Sequence, residues 1–450
     1  MAYLSDKAAL RHLERVLRSA GVDGWEIYLS GTRELSVEAR DGEVESLQRA
    51  VSRGVGVRVL RGGAPGFAFT TNFRAEALDA AARAATDAAR YATPDPALAL
   101  IAPQRLPKKD LALFDPALSR VSQKKRVAMA LELEAATRAA DKRITQVRSA
   151  SYEEDASWLH LRNSEGLCLE DRETSAGLSV MAVAGDEDES EAGYEFQDVR
   201  FFAELNPARV ARGAARDAVR QLGARPVPGK SGPVVFENLA ASELLDVMAD
   251  SFCADQVQKG MSGLEGKRGK RVFGEHIDIL DDGLLKKGQG SAFFDDEGVP
   301  QQRTHLVSCG ELLGYLYDSA SARREGARST GNAVRSGGFT GAPEVGVTNL
   351  FVKKGKHTLP ALLSEMGNGF LITELMGVHT ANPVTGEFSF GCAGQVVRGG
   401  KIAHPFKGMA VAGNLFDLYK RVELVGSDLR FSSGVGSPSL LVGKLSVSGG

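Results

Sequence analysis

An alternating pattern that ends in one tight turn dominates residues 25–42, which read WEIYLSGTRELSVEARDG. Apolar and polar residues alternate at 25–29 and again at 35–39, and Asp41-Gly42 is a dipeptide typical of a two-residue hairpin turn. Two more apolar runs follow at residues 55–59 and 67–70, on either side of Gly62-Gly63. The pattern predicts four short strands in an antiparallel meander.

Helical patterns enclose this meander, and the same order of elements then recurs. Ser5 can cap a helix over residues 5–20, and an Ala-rich helix is predicted at 75–92. A second series has helices at 124–140 and 207–222 around strands at 144–152, 158–162, 167–170 and 176–184. We therefore predict an N-terminal α+β domain over residues 1–225, built from possible repeat units at 1–105 and 110–225.

The composition changes after the proline-rich stretch 223–233, where we place the main domain boundary. A strand at 234–236 and one long helix at 240–259 are predicted next, followed by a glycine-punctuated series of strand-like runs. The fold class predicted for the whole chain is α+β. Its second domain, residues 230–450, is predicted to be β-rich, with a barrel-like or closed sheet.

Charge and cysteine content exclude several classes of protein. The 55 basic and 57 acidic residues leave a formal net charge of −2, so no global field attracts nucleic acid. The four cysteines form no Cys-x-x-Cys pair, which favours a reducing compartment. The sequence has no long apolar stretch and no signal-peptide pattern at its start, so we expect a cytoplasmic protein that does not bind membranes.

No complete catalytic constellation emerges from the residues alone. Gly229-Lys230-Ser231 precedes a strand, whereas a phosphate loop must open a helix. Asp278, Asp281 and Asp282 lack the remaining ligands of a calcium loop, and the acidic run at 186–191 is predicted to be a solvated loop. The seven histidines never stand at zinc-protease spacing. Several polar clusters with glycine remain, and any one of them alone is typical of turn chemistry.

Taken together and in order, these clusters resemble the TldD/PmbA family. The clusters and the matching segments elsewhere in the chain are VEARDGEV (37–44), GVGVR (54–58), DDG (281–283), FDDEGVP (294–300), STGNA (329–333), TELMG (373–377), NPVTGEFS (382–389), AGNLFD (412–417) and PSLLV (438–442). The resemblance covers nearly the whole chain. It implies a relationship to a two-subunit metalloprotease.

The catalytic branch of that family, TldD, carries His-Glu-x-x-x-His on the helix that opens its C-terminal domain, and a cysteine ligand near its C-terminus. In this chain the corresponding positions are Leu245, Asp246 and Asp250, and the cysteine region reads Phe431-Ser-Ser-Gly. Leucine cannot bind zinc, and zinc sites usually gather three protein ligands. The chain therefore resembles the other branch, TldE (PmbA), and we expect no catalytic residue, metal ligand or cofactor of its own.

The resemblance implies a subunit that pairs with a zinc-bearing, TldD-like homologue to process or degrade unstructured peptides. A homodimer is the arrangement expected where that homologue is absent. Such peptides can be held by strand addition at a sheet edge. The residues that we expect to contact the peptide or the partner are Thr373, Glu374, Met376, Gly377, Asn382 and Thr385.

Two alternatives stay open at this point. The chain could be an autonomous metallopeptidase with unconventional ligands such as Asp246, Asp250 and a distant histidine. It could also be a peptide-binding or regulatory protein without protease activity. A second, homologous gene that encodes His-Glu-x-x-x-His would favour the two-subunit interpretation.

Overall fold

The computed structural model describes residues 3–185 and 189–449. The helices are α1 (Asp6–Arg18), α2 (Ala75–Ala88), α3 (Gln123–Ala140), α4 (Pro207–Arg220), α5 (Asn238–Val247), α6 (Ala254–Gln258), α7 (Ser319–Glu325), α8 (Leu359–Met366) and α9 (Leu415–Lys420). The acidic residues 186–188, part of the predicted solvated loop, lie outside the described residues.

The strands are β1 (Gly24–Arg40), β2 (Glu43–Arg61), β3 (Ala64–Thr70), β4 (Ile144–Asn163), β5 (Cys168–Gly185), β6 (Ser190–Val199), β7 (Lys230–Phe236), β8 (Ile279–Asp282), β9 (Arg303–Ser308), β10 (Glu311–Leu312), β11 (Ala333–Val334), β12 (Glu344–Val345), β13 (Leu350–Val352), β14 (Gly369–Met376), β15 (Glu387–Arg398), β16 (Lys401–Asn414), β17 (Val422–Val425), β18 (Arg430–Ser432), β19 (Val435–Ser437) and β20 (Leu440–Gly449).

The first six strands form one antiparallel sheet in the order β3-β2-β1-β4-β5-β6. Each half of this sheet belongs to one helix–strands–helix series, and the halves join where β1 pairs with β4. Helices α1 and α2 pack on one half, and α3 and α4 pack on the other half of the same face. The opposite face of the sheet contacts the C-terminal half of the chain, where Tyr28 and Leu161 pack with Phe294.

The prediction of pairs of short strands in this sheet was wrong. Residues 25–29 and 35–39 belong to the single strand β1, and residues 144–152 and 158–162 belong to β4. The polar residues between each pair of apolar runs continue the strand, because both neighbouring strands hydrogen-bond to them. Several of them, including Arg33 and Glu154, line a gap between the two helix pairs.

The C-terminal half contains a closed barrel, which confirms the predicted fold class. Five strands follow one another in the order β16-β15-β14-β7-β20, and β20 returns to pair with β16. Strand β17 extends β20 outside the closed ring. A second sheet with the order β10-β9-β8-β13-β19-β18 shares a large apolar core with the barrel.

The long helix predicted over residues 240–259 was also wrong. Helix α5 ends at Val247, a 3-10 helix covers Ala249–Phe252, and α6 begins at Ala254. The break occurs because the chain at Phe252–Ala254 pairs with Leu316, whose N–H donates to Phe252 O at 2.8 Å while its oxygen accepts from Ala254 N at 2.8 Å. Tertiary backbone bonds therefore replace the helical ones at this point.

Buried charges connect the N-terminal sheet with the C-terminal half. Glu26 on β1 accepts from Arg58 at 2.9 and 3.1 Å and from Arg335, which lies far along the sequence. Arg58 also lies 3.6 Å from Glu297. Such groups are tolerated in an interior because they are paired and hydrogen-bonded.

No helix within the described ranges combines the length and the apolar character needed to cross a bilayer.

Candidate functional site

Helix α5 leads from the barrel into the second sheet and carries the first two positions of the expected motif, those of the first histidine and of the glutamate. Leu245 is 0% exposed and belongs to the main apolar core. Asp246, one residue on, is exposed at the surface, and Asp250 lies beyond the end of α5 in the 3-10 helix. The helix also contacts β18 and β19, so the segment 431–434 that replaces the cysteine region lies close to α5.

The exposed face of α5 carries carboxylates that influence one another. Although these side chains reach the surface, the surrounding protein removes part of their water, and this desolvation raises the pKa of Glu243 to about 7, with further contributions from the negative charges of Glu374 and Asp246. Partial desolvation, and then the charge of Asp250, raises the pKa of Asp246. These four side chains form an acidic cluster, defined here as Glu243, Asp246, Asp250 and Glu374. The cluster joins Asp246 and Asp250, from the expected metal motif, with Glu374, one of the residues expected to contact a peptide or partner.

Glu374 lies at the border between this acidic cluster and the N-terminal half of the chain. Burial and the charge of Glu191 raise its pKa, while Arg220 on α4 opposes that effect. Arg220 itself donates to Glu237 at 2.9 Å, immediately before α5. The acidic cluster therefore lies where α4, β6, α5 and β14 meet.

The far end of β14 offers a short unpaired edge. Strand β7 pairs with β14 only at residues 370–372, and β15 covers the other edge up to Met376. Within the described parts of the chain, no strand pairs with the α5 side of residues 373–376. This open edge, defined as residues 373–376, carries Glu374 and the 43% exposed Met376. Main-chain groups at such an edge can bind an extended peptide.

Thr373 and Gly377 have structural roles at the two ends of the open edge. Thr373 stands at a bulge between β14 and β15 and accepts a hydrogen bond from Gln221 Nε2 at 3.3 Å. Gly377 ends the strand with a φ of 76°, a left-handed conformation that favours glycine. Whether either residue also contacts a peptide stays a prediction.

Asn382 and Thr385 close a tight turn over residues 382–387. The Asn382 side chain accepts from Val384 N at 2.9 Å and Thr385 N at 3.0 Å, and Thr385 Oγ1 accepts from Glu387 N at 3.3 Å. Ser251 donates to Pro383 O at 3.1 Å, which places this turn against the segment that follows α5. The structure therefore brings the turn, the acidic cluster and the open edge together on one side of the barrel.

Sequence reasoning missed Glu243. Its spacing of three residues from Asp246 places both on one face of a helix, which is a signal that the sequence contains. Within the described ranges, no three histidine, cysteine or acidic side chains are arranged so that they could hold a metal ion. In chemical terms the site offers negative charge and main-chain hydrogen bonds beside the exposed side chain of Met376.

Three family models match the chain in sequence order. Residues 25–89 match PmbA/TldA metallopeptidase domain 1, residues 116–222 match the central domain, and residues 228–449 match the C-terminal domain. The chain belongs to the PmbA/TldD family. The division of the N-terminal residues into repeat units stays a prediction, because both series contribute strands to the same sheet.

Curated relatives carry the names of both branches of the family. A protein named metalloprotease PmbA from Escherichia coli O157:H7 is 30% identical over 436 residues, which cover 96% of this chain and 94% of that protein. A metalloprotease TldD homologue from Haemophilus influenzae is 25% identical over 436 residues, covering 94% of this chain and 89% of its own length. Sequence similarity therefore extends to both branches.

Solved structures of relatives share the whole architecture. A Thermotoga maritima protein, described as a candidate modulator of a DNA gyrase, has a TM-score of 0.89 at 28% identity, covering 99% of this chain and 100% of its own. TldE from Thermococcus kodakarensis has a TM-score of 0.88 at 21% identity, covering 98% of this chain and 100% of its own. At that identity the second similarity concerns the fold alone.

Proposed function

We propose that this chain is the TldE/PmbA-like, noncatalytic subunit of a cytoplasmic two-subunit metalloprotease that processes or degrades unstructured peptides. One observation carries the proposal: the position at which the resemblance expects the first zinc-binding histidine holds Leu245, which is completely buried in the core. The two remaining positions hold carboxylates whose neighbours are other carboxylates. Zinc would be bound by the TldD-like partner.

The open edge at residues 373–376 supports the peptide-contact part of this proposal. An extended peptide could pair with its main chain while the acidic cluster faces the peptide's side chains. Met376 and the turn at 382–387 would form an adjoining wall. A subunit without a metal can assist hydrolysis by orienting the substrate beside the partner's zinc, and orientation contributes strongly to rate.

The deciding experiment mixes this chain with a TldD-like homologue and follows cleavage of an unstructured peptide. Activity should require both chains, and should disappear when a metal-binding histidine of the homologue is replaced. Asp246→Asn and Asp250→Asn in this chain should leave cleavage at saturating peptide in place; a change in KM is compatible with the proposal, because both residues belong to the acidic cluster. If this chain cleaves the peptide alone and loses that activity on Asp250→Ala, it is an autonomous metallopeptidase.

The metal content and the interface give two independent tests. The isolated chain should purify with far less than one zinc per molecule, so stoichiometric zinc that survives mild chelation would contradict the proposal. The complex should bury more than about 1,000 Å² through the C-terminal half, as lasting interfaces do. If the chain binds peptides without any cleavage in the presence of the homologue, it is a binding or regulatory protein.

The open edge is tested in the reconstituted complex. Glu374→Gln combined with Met376→Ala should raise KM for peptide cleavage, because both side chains flank the proposed binding edge. The control is Glu132→Gln, an exposed position on α3 far from the barrel. Equal KM values for both variants would remove the open edge from the proposal while leaving the two-subunit role intact.

A further inference from the structure

A groove lies on the helix-covered face of the N-terminal sheet, away from the acidic cluster. It separates the α1/α2 pair from the α3/α4 pair, has a volume of about 1130 Å³, and crosses β2, β1, β4 and β5. Neighbouring strands lie ~4.8 Å apart, so four strands give the groove a length of about 14 Å, enough for about four residues of extended peptide.

The floor of the groove is a tryptophan held in a fixed position. The Trp158 ring lies over Gly31, where a Cβ atom would come within 2.3 Å of it, and its Nε1 donates to Asp6 at 3.0 Å. Arg33 covers the ring, with the guanidinium carbon 5.2 Å from the ring centre. Arg172, the cross-strand neighbour of Trp158, lies 4.8 Å from the Phe114 ring centre.

Most of the other charges that point into the groove already have partners. Arg53 lies 2.8 Å from Asp6, and Arg126 lies 2.7 Å from Glu154. Glu170 lies 3.2 Å from His160 Nδ1, a contact that is an ion pair only when the histidine is protonated.

Asp115, the remaining acid, accepts hydrogen bonds from the backbone N–H groups of Ala117 and Phe202 at 2.8 and 3.1 Å. Each of these acidic side chains in the groove therefore already has a hydrogen-bond or ion-pair partner, although the partners of Asp115 are neutral N–H groups.

Three arginines remain without a carboxylate partner among the described residues, namely Arg33, Arg49 and Arg172. Their β-sheet registers place all three on the helix-covered face, together with core residues such as Leu35. Glu34 and Asp171 also border the groove, but alternation along a strand directs their side chains to the opposite face. The groove therefore contains three guanidinium groups without a carboxylate partner, and on this face five arginines outnumber four carboxylates.

We propose that this groove binds an extended, acidic peptide segment rich in aspartate or glutamate. Guanidinium groups bind carboxylates through paired, charge-assisted hydrogen bonds, and stacking on Trp158 and Phe114 holds two of them in place. Val51, 66% exposed on β2, gives an apolar contact at one end. A nucleic acid fits less well, because Arg33 already covers the ring on which a base would stack, and three cations give few phosphate contacts.

The proposal is independent of any protease partner, since binding is measured on this chain alone. The probe is a short, fluorescently labelled peptide of alternating glutamate and glycine, compared with the same peptide in which glutamine replaces glutamate. The glutamate peptide should bind, and added salt should weaken the complex. Failure of this experiment would leave the two-subunit function untouched.

Tryptophan emission locates the bound peptide. The chain has two tryptophans, and Trp25 is buried under α1 and α2, so a change on binding reports on Trp158. The emission should change on titration with the glutamate peptide, and Trp158→Phe should abolish that change. An unchanged emission on binding would place the peptide elsewhere and overturn the proposal.

A pair of matched variants completes the test. Arg33→Gln with Arg172→Gln should weaken binding by about tenfold or more, because two charge-assisted contacts are lost. The control, Arg11→Gln with Arg83→Gln, removes the same charge from exposed positions of α1 and α2 and should bind as the unmodified chain does. Equal losses in both variants, equal binding of the glutamine peptide, or tighter binding of single-stranded DNA would each overturn the proposal.

Discussion

Replacing Arg335 with methionine should destabilise the junction between the N-terminal sheet and the C-terminal half. The Arg335 side chain is 0% exposed, donates to Glu26 and donates to Gly341 O at 2.8 Å. Its guanidinium also lies 4.6 Å from the Tyr28 ring centre. The substitution leaves Glu26 buried with Arg58 as its remaining cation.

Removing one member of a buried ion pair typically costs about 3–5 kcal/mol when the other charge is left without a partner. Because Glu26 keeps Arg58, we expect the lower end of this range, about 3 kcal/mol. That is a large part of the free energy of unfolding of an ordinary domain, about 5–15 kcal/mol. Urea unfolding followed by tryptophan emission is the appropriate assay. Trp25 and Trp158, the two tryptophans of the chain, both belong to the N-terminal sheet, so the emission reports on that sheet.

Arg143→Met is the control. Arg143 also bonds a carboxylate through two nitrogens, at 3.0 and 2.8 Å from Asp141, but this pair is on the surface, where water competes with it. Its urea midpoint should hardly change. Glu26→Gln should cost less in the Arg335→Met background than in the unmodified chain, because the bond between Glu26 and Arg335 is already lost there. An Arg335→Met midpoint equal to that of the control would refute the reasoning.

The remaining predictions concern the barrel and the acidic cluster. Folding raises the pKa of Glu243 to about 7, so the folded chain retains this proton at a pH where the unfolded chain has lost it. Stability should therefore fall as pH rises from about 4.5 through about 7. Glu243→Gln should remove this part of the pH dependence of the urea midpoint. Gly394→Ala should lower the thermal midpoint strongly, since its Cβ would lie 2.0 Å from Leu371 O, whereas Gly413→Ala, with its nearest neighbour at 3.5 Å, should change it little. A triple variant with Leu245→His, Asp246→Glu and Asp250→His should not bind stoichiometric zinc, because position 245 faces the core and position 250 lies outside α5. One tightly held zinc per chain, found by elemental analysis, would contradict this prediction.

The sequence was sufficient to predict the larger architecture because glycine-rich turns and alternating patterns recur along the chain. It was insufficient within the long strands. Residues such as Gly31, Thr32 and Arg33 look like an interruption between two apolar runs, but they continue β1 beneath the groove. An interruption in hydrophobicity shows where a sheet is uncovered, and hydrogen-bonding between strands decides whether the strand continues.

The site was predictable only in part for a similar reason. The acidic residues of α5 have a helical spacing that a sequence shows, whereas the approach of Glu374 depends on the closure of the barrel. The break after Val247 depends on Leu316, which is remote along the chain. Contacts between distant segments carry no local signal.

The closed barrel also has a consequence for synthesis on the ribosome. Strand β7 stands near the middle of the chain, but its neighbour β20 follows more than two hundred residues later and also has to pair with β16. Until residues 440–449 emerge, a nascent chain presents two unprotected strand edges, at β7 and at β16. Late pairings of this kind are slow and leave intermediates prone to association. The risk that this protein associates wrongly is therefore greatest during translation, before β20 is available.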